Sequence, residues 1–98
     1  MPSRIPEVRL SLLPETEEAQ RAVGFKFADP TAGRRSKIGG VPDWLQAAEH
    51  PTCTCGAPMT FYAQLDSIGD EYCIADCGLI YVFLCFDCFE SKSIVQSG

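Results

Sequence analysis

The sequence lacks a long apolar run: no segment approaches the roughly 20 consecutive apolar residues that are needed to span a bilayer. Its first residues, 1–6, also lack the continuous apolar stretch of a secretion signal, and no small-residue cleavage site follows them. These absences predict a soluble protein with the cytoplasm as its compartment and no membrane partner.

Basic residues are scarce. Lysine and arginine number 8 against 13 acidic residues, which gives a formal net charge of −5 and a pI of about 4.6. A nucleic-acid-binding domain normally carries a basic footprint for the phosphate backbone. The charge therefore argues against nucleic acid as a partner.

Histidine is almost absent, because His50 is the only one in the chain. An enzymatic nucleophile needs an activating base, and no partner for His50 is evident in the sequence. We therefore expect a protein that is not an enzyme and has no catalytic residues. The alternative is a thiol redox or hydrolytic enzyme that uses the loop of residues 67–78, which contains acidic residues and two cysteines.

Cysteine, by contrast, is plentiful, with six in 98 residues. In a cytoplasmic chain this number favours metal ligation over disulfides, because the cytosolic thiol pool keeps structural disulfides reduced. Four of the cysteines form two close pairs, one before and one after a pair of apolar runs. These four are Cys53, Cys55, Cys85 and Cys88.

Length and pattern predict a single domain over residues 1–98 with its core in 37–88, of the α+β class. We expect a small, mainly antiparallel sheet with one or two short helices. Residues 58–66 alternate in polarity, which predicts a strand with one buried face. That face would hold Met59, Phe61, Ala63 and Leu65. Residues 79–86 are almost wholly apolar and predict a central strand covered on both faces.

These two strands predict a hairpin in which Leu65 lies opposite Leu79 and Thr60 opposite Leu84. Extended beyond the strand ends, this register brings the two cysteine pairs to the same place. Four thiolates there could bind a tetrahedral zinc ion at about 2.3 Å each. The predicted cofactor is therefore a structural Zn²⁺ in a zinc-knuckle-tied hairpin, with Cys53, Cys55, Cys85 and Cys88 as its ligands.

Several alternatives to this ligand set stay open. The spacing of Cys85 and Cys88 is usual for a zinc half-site, whereas that of Cys53 and Cys55 is one residue tighter. His50, or one of the remaining cysteines, could take the place of Cys53. Those remaining cysteines, Cys73 and Cys77, are otherwise expected to be free thiols in or under the loop. A second metal site and a redox pair are the other options for them. A metal-free protein with four buried thiols is a further alternative.

The flanking segments have weaker patterns. Alternating apolar residues at 8, 10 and 12 predict a half-buried strand, and Glu15–Val23 predicts a short surface helix. Phe25–Phe27 alternates briefly before a predicted turn at Asp29–Gly33. The tail, residues 90–98, is expected to fray after a short alternation.

The segment from Gly39 to Leu45 is interpreted as a structural loop that places Trp44 in the core. Its paired glycines would allow a positive φ or a close backbone approach. Asp43 could cap a helical turn over residues 44–48. The alternative is a ligand-gripping loop whose basic rim would come from Arg34, Arg35 and Lys37.

Three segments resemble a known group of proteins. They are Lys37–Trp44 (KIGGVPDW), Cys55–Gln64 (CGAPMTFYAQ) and Gly78–Cys85 (GLIYVFLC). Their order resembles that of the YwqG-like bacterial proteins of unknown function and the related programmed cell death protein 2 family. The resemblance implies an antiparallel β-rich domain and, in the eukaryotic branch, the escort of a ribosomal protein during ribosome assembly. It implies no catalytic residues.

The sequence therefore predicts a small cytoplasmic zinc-binding protein of uncharacterised role. We expect it to act as a protein-interaction module, either an escort or an immunity-type binder. Its acidity favours a basic protein as the partner, whose identity the sequence does not reveal.

Overall fold

The computed structural model of the chain describes residues 4–26 and 30–98, which form a five-stranded antiparallel sheet in the order β1-β2-β3-β4-β5. The strands are Val8–Arg9 (β1), Lys37–Ile38 (β2), Thr60–Asp66 (β3), Leu79–Leu84 (β4) and Ser91–Gln96 (β5). One short helix, Glu17–Ala22 (α1), and a 3₁₀ turn, Asp70–Tyr72, accompany the sheet. This architecture confirms the predicted α+β class.

The predicted β3–β4 hairpin is present, and its register is correct at the end near the cysteines. Thr60 pairs with Leu84 and Phe61 with Phe83, as expected. A β-bulge then inserts an extra residue between Phe61 and Ala63. Beyond the bulge, each β3 residue lies opposite the β4 residue one position later than predicted, so that Leu65 faces Ile80.

The bulge also reverses which side chains of β3 are buried. Because side chains alternate along a strand, one inserted residue exchanges the two faces. Gln64 is fully buried and Asp66 is 5% exposed, whereas Leu65 is 45% exposed. The predicted apolar face was therefore wrong at Leu65, although Phe61 and Ala63 are buried as expected.

Strand β4 lies in the interior of the sheet, but it is fully covered on one face only. Leu79, Tyr81 and Phe83 are at most 3% exposed and form the core together with Phe61. The alternate residues, at positions 80, 82 and 84, are half-buried. The prediction that both faces are covered was therefore too strong for this small sheet.

The tail does not fray as expected, because residues 91–96 pair with β4 as the edge strand β5. Gln96 is 2% exposed, and its Oε1 accepts hydrogen bonds from the backbone N–H groups of Leu45 (3.0 Å) and Gln46 (2.9 Å). These are N–H groups that a helical turn capped by Asp43 would have used. The predicted turn over residues 44–48 is absent, and the segment instead bends across the sheet.

The N-terminal part contributes little to the core. Strand β1 is only two residues long, and Val8 is 54% exposed, so the expected half-buried strand is short and exposed. Helix α1 begins after Thr16, whose Oγ1 accepts the N–H of Ala19, within the segment predicted to be helical. Phe27 and Asp29 lie outside the described residues. No helix in residues 4–26 and 30–98 is long and apolar enough to cross a membrane.

The paired glycines bring the loop after β2 close to the N-terminal segment. Gly39 and Gly40 both have φ near +73°, and a Cβ at Gly39 would collide with the carbonyl oxygen of Pro6. The Lys37 side chain is only 4% exposed, and its ammonium binds Glu7 (2.9 Å) and Asp43 (3.2 Å). Lys37 therefore cannot form part of a basic rim around a ligand.

Candidate metal centre

Four cysteine sulfurs converge beside the open end of the β3–β4 hairpin. The Sγ atoms of Cys53, Cys55, Cys85 and Cys88 all lie within 4.8 Å of one another. Cys53 lies 3.0 Å from Cys88, and Cys55 lies 3.8 Å from Cys85, so each close pair joins the two halves of the cluster. Cys53 and Cys85 are buried, whereas Cys55 and Cys88 are exposed.

The first half of the cluster is a tight turn before β3. The N–H of Cys53 donates to the carbonyl of Ala57 (2.9 Å), and the N–H of Gly56 donates back to the carbonyl of Cys53 (2.8 Å). Gly56 has φ of +92°, a conformation that glycine adopts without the steric cost of a Cβ. This turn lets two thiols separated by a single residue reach the same site.

The second half, which directly follows β4, repeats this design with one more residue. The N–H of Cys85 donates to the carbonyl of Glu90 (2.9 Å), and the N–H of Phe89 donates back to the carbonyl of Cys85 (2.8 Å). Phe89 occupies the position that Gly56 holds in the first turn, and it too has a positive φ, +62°. The two turns are thus related in hydrogen bonding although their cysteine spacings differ.

A polar clamp joins the two turns outside the sulfurs. The Thr54 Oγ1 donates to Glu90 Oε1 (2.8 Å), and the Thr54 N–H donates to Glu90 Oε2 (3.2 Å). The Lys92 ammonium donates to the carbonyl of Thr52 (2.8 Å). The sequence pattern does not mark these residues as functional, and their only signal in it is that each lies within four positions of a cysteine.

The turns also change the acidity of the thiols. Backbone N–H groups of Cys88 and Asp87 donate to the Cys85 sulfur and lower the pKa of Cys85 to about 7. Such N–H bonds stabilise the thiolate, the form in which cysteine binds a metal. The hydrogen bond shared with Cys53 raises the pKa of Cys88 to about 12. Without a cation, the cluster therefore retains protons that a bound metal would displace.

The spacing of the sulfurs is close to that of a tetrahedral metal site, with one pair too near. Thiolates bound to zinc at about 2.3 Å lie about 3.8 Å from each other. The Cys55–Cys85 distance of 3.8 Å already has this value, and the Cys53–Cys88 distance of 3.0 Å would have to widen by about 0.8 Å. The cluster is thus compatible with a metal ion, and its four thiols are soft ligands.

The other candidate ligands lie elsewhere. The His50 ring packs edge-on to Trp44, with 6.1 Å between the centroids. Cys73 and Cys77 lie at the opposite end of the hairpin and are close to each other, with 3.3 Å between their sulfurs. Within residues 4–26 and 30–98, the groups of three or more potential metal ligands comprise only the cluster of four cysteines.

Comparison with known proteins gives a partial match. Residues 36–71 match the profile of a domain of unknown function, DUF1963. The chain is also 42% identical over 65 residues to the uncharacterized protein YpfL of Salmonella typhimurium. That alignment covers 62% of this chain but only 15% of the length of YpfL. No solved structure matches the chain.

Proposed function

We propose that the four-cysteine cluster is a structural zinc site, with Cys53, Cys55, Cys85 and Cys88 as its ligands. The convergence of four sulfurs within 4.8 Å, from two hydrogen-bonded turns far apart in sequence, is the observation that carries this proposal. Soft thiolates in a tetrahedral arrangement favour zinc over hard cations such as magnesium or calcium. Four protein ligands leave no open position for a substrate, which favours a structural role over a catalytic one.

The bound ion would cross-link two segments that flank a small core. In residues 4–26 and 30–98, the core cluster has four buried members, Phe61, Leu79, Tyr81 and Phe83. The segment before β3 and the segment after β4 meet at the cluster and would be cross-linked there by the metal. The free energy of zinc binding would then contribute directly to the stability of the fold.

Zinc content tests this proposal. Protein purified without chelators should contain about one equivalent of zinc, and fewer than about 0.2 equivalents would refute the proposal. Cys55→Ser and Cys88→Ser remove one exposed ligand from each turn, so they should lower zinc content with little direct loss of core packing. Cys77→Ser is the matched control and should retain the metal.

Cobalt substitution tests the ligand geometry by a readout other than metal content. Co²⁺ bound by four thiolates in a tetrahedron absorbs strongly in the visible region, and octahedral Co²⁺ absorbs only weakly. We expect the strong tetrahedral spectrum in the wild-type protein and in Cys77→Ser. A weak, octahedral-type spectrum in the wild-type protein would contradict the proposed ligand set.

For the domain as a whole, we propose a cytoplasmic protein-interaction module with no enzymatic activity. Its role would be that of an escort, as the resemblance to the programmed cell death protein 2 family implies, or that of an immunity-type binder. The net charge of −5 favours a basic partner. At the closed end of the hairpin, Asp70, Glu71 and Asp76 are exposed, and Tyr72, which follows the first two in the chain, is 51% exposed. An exposed aromatic side chain among acidic residues suits a basic protein surface.

Capture of partners from native lysate, with and without a charge reversal, tests this role. Glu71→Lys should reduce capture of the partner, because it reverses one charge beside Tyr72. Asp87→Lys makes the same change at the opposite end of the hairpin and is the control, provided that it retains zinc. Equal capture by both variants would contradict a partner site at the acidic loop.

A further inference from the structure

The loop between β3 and β4 contains a second pair of cysteines that the metal site does not use. The Sγ atoms of Cys73 and Cys77 lie 3.3 Å apart, and both side chains are half-buried. A disulfide requires about 2.05 Å between the sulfurs, so a movement of about 1.3 Å would join them. Both residues are partly exposed, as a reaction with a small molecule requires.

The backbone of this loop is held in a tight conformation that keeps the two thiols together. Ala75, Asp76 and Cys77 are consecutive and all have positive φ, of 41°, 60° and 63°. Three non-glycine residues in this region store strain, which persists only where the surrounding structure imposes the conformation. Contacts with the rest of the protein therefore hold the loop in this conformation.

That closure comes from buried polar contacts. Ser67 is fully buried, its hydroxyl donates to the carbonyl of Gly78 (3.0 Å), and the same oxygen accepts the N–H of Ile74 (2.8 Å). The Arg35 Nη2 donates to the carbonyl of Cys77 (2.9 Å). One serine and one arginine thus fasten both ends of the loop and place Cys73 against Cys77.

The two sulfurs differ in their surroundings. The N–H of Cys77 points at the Cys73 sulfur, 2.7 Å away, and would stabilise negative charge on it. The pKa of Cys77 is raised, first by its hydrogen bond with Cys73 and then by burial. This difference suits Cys73 as the thiol that attacks and Cys77 as the thiol that completes the reaction.

We infer that Cys73 and Cys77 are a reversible oxidation site that forms an intramolecular disulfide by exchange with a low-molecular-weight disulfide. The Cys73 thiolate attacks one sulfur of that disulfide, so that a mixed disulfide forms and one thiolate leaves. The Cys77 thiolate then attacks the Cys73 sulfur, which forms the internal disulfide and releases the second thiolate. The two protein thiols are oxidised, the small disulfide is reduced, and the two protons end on the released thiols.

This site is separate from the metal centre. The six residues of β4 lie between them, which corresponds to about 20 Å along the strand. A bound metal would also protect the other four cysteines from exchange. The inference does not depend on the zinc proposal, because the disulfide can be located by peptide mapping whichever metal is present.

The test uses the protein as purified, equilibrated in buffers with increasing ratios of oxidised to reduced glutathione. After rapid alkylation, mass spectrometry should show that two thiols are lost together and that a fragment linked between Cys73 and Cys77 appears. In urea, half-oxidation of the two cysteines should require a ratio of oxidised to reduced glutathione that is at least about tenfold higher, because unfolding no longer holds the two thiols together.

Two outcomes would overturn the inference. One is that both cysteines stay fully alkylatable in the most oxidising buffer. The other is that they oxidise equally readily in urea, which would show that the fold contributes nothing.

Single variants test the order of the two steps. Cys77→Ser should accumulate a glutathione adduct on Cys73, because the second step is then blocked. Cys73→Ser should react at least about tenfold more slowly at Cys77. Faster modification of Cys77 than of Cys73 would contradict the assigned order. Because these variants retain the four cluster cysteines, zinc content and the urea unfolding midpoint provide a check that each is folded.

Discussion

The substitution Gln96→Leu tests whether β5 fastens the segment that crosses the sheet. Gln96 Oε1 accepts the N–H groups of Leu45 and Gln46, and its Nε2 donates to the carbonyl of Ala47 (2.8 Å). Leucine has a similar volume but can make none of these bonds. The change therefore removes the polar contacts while it preserves most of the packing.

The expected cost follows from which groups are left without a partner. Leu45 keeps a weaker contact to Tyr81 Oη (3.3 Å). Gln46 and Ala47 are exposed, so their freed N–H and carbonyl groups can bind water. Each of these two lost hydrogen bonds then costs about 1 kcal/mol net, which gives a total loss of about 2 kcal/mol.

Equilibrium unfolding in urea, with zinc in excess, measures this loss. For a domain of this size, 2 kcal/mol corresponds to a decrease in Tm of about 8–16 °C. Gln46→Ala is the matched control: it removes hydrogen bonds to Ser97 on the exposed side of the same contact, and it should cost less than about 1 kcal/mol. A loss below about 0.5 kcal/mol in Gln96→Leu would refute the assignment of β5 as an anchor.

Three further changes test single features of the fold. Phe89→Gly should stabilise the protein by about 1 kcal/mol, because Phe89 has a strained φ of +62° and its side chain is 70% exposed. Destabilisation would show that the ring contact between Phe89 and Phe86 outweighs this strain. Ala75→Gly, also at a positive φ, should stabilise by a similar amount in urea unfolding, and no gain would mean that the strain is negligible. Burial raises the pKa of Tyr81. The stability that the neutral Tyr81 phenol contributes is therefore present below about pH 10 and is lost as the pH rises through the raised pKa. Urea unfolding between pH 8 and 11 should thus show a shallower alkaline loss in Tyr81→Phe than in the wild type, and equal slopes would contradict this reason.

The cysteine end of the hairpin was predictable because short-range pattern and chemistry agreed there. The alternation of β3 and the apolar run of β4 gave the pairing of Thr60 with Leu84. Once that pair is fixed, the cysteines before β3 and after β4 have to lie near each other. Few residues separate the Thr60–Leu84 pair from the four cysteines, so the bulge further along β3 does not displace the cluster.

The remainder of the sheet was less predictable because its interior contains polar residues. Gln64 is fully buried because its side chain donates to the carbonyl of Arg35 (2.7 Å) and accepts the N–H of Asp43 (3.0 Å). Asp66 is buried because it forms an ion pair with Arg35 at 2.7 Å. A polarity pattern assigns such residues to the solvent face, since partners distant in sequence are invisible to it. The bulge turns Gln64 and Asp66 toward the interior, where these long-range contacts satisfy their polar groups.

These contacts explain how a sheet with a small apolar core can hold long irregular segments. Three buried or half-buried side chains, from β3, β4 and β5, bind the backbone around Asp43 and Leu45: Gln64, Tyr81 and Gln96. Each bond fixes a chain segment by direction as well as by distance, which apolar packing alone does not do. The cluster of four cysteines lies outside this network, and the side-chain hydrogen bonds that join its two turns, Thr54–Glu90 and Lys92–Thr52, are exposed. A bound metal would therefore stabilise the cysteine end of the hairpin, which the hydrogen bonds of Gln64, Tyr81 and Gln96 do not reach. This is the physical reason for proposing a structural ion at that end.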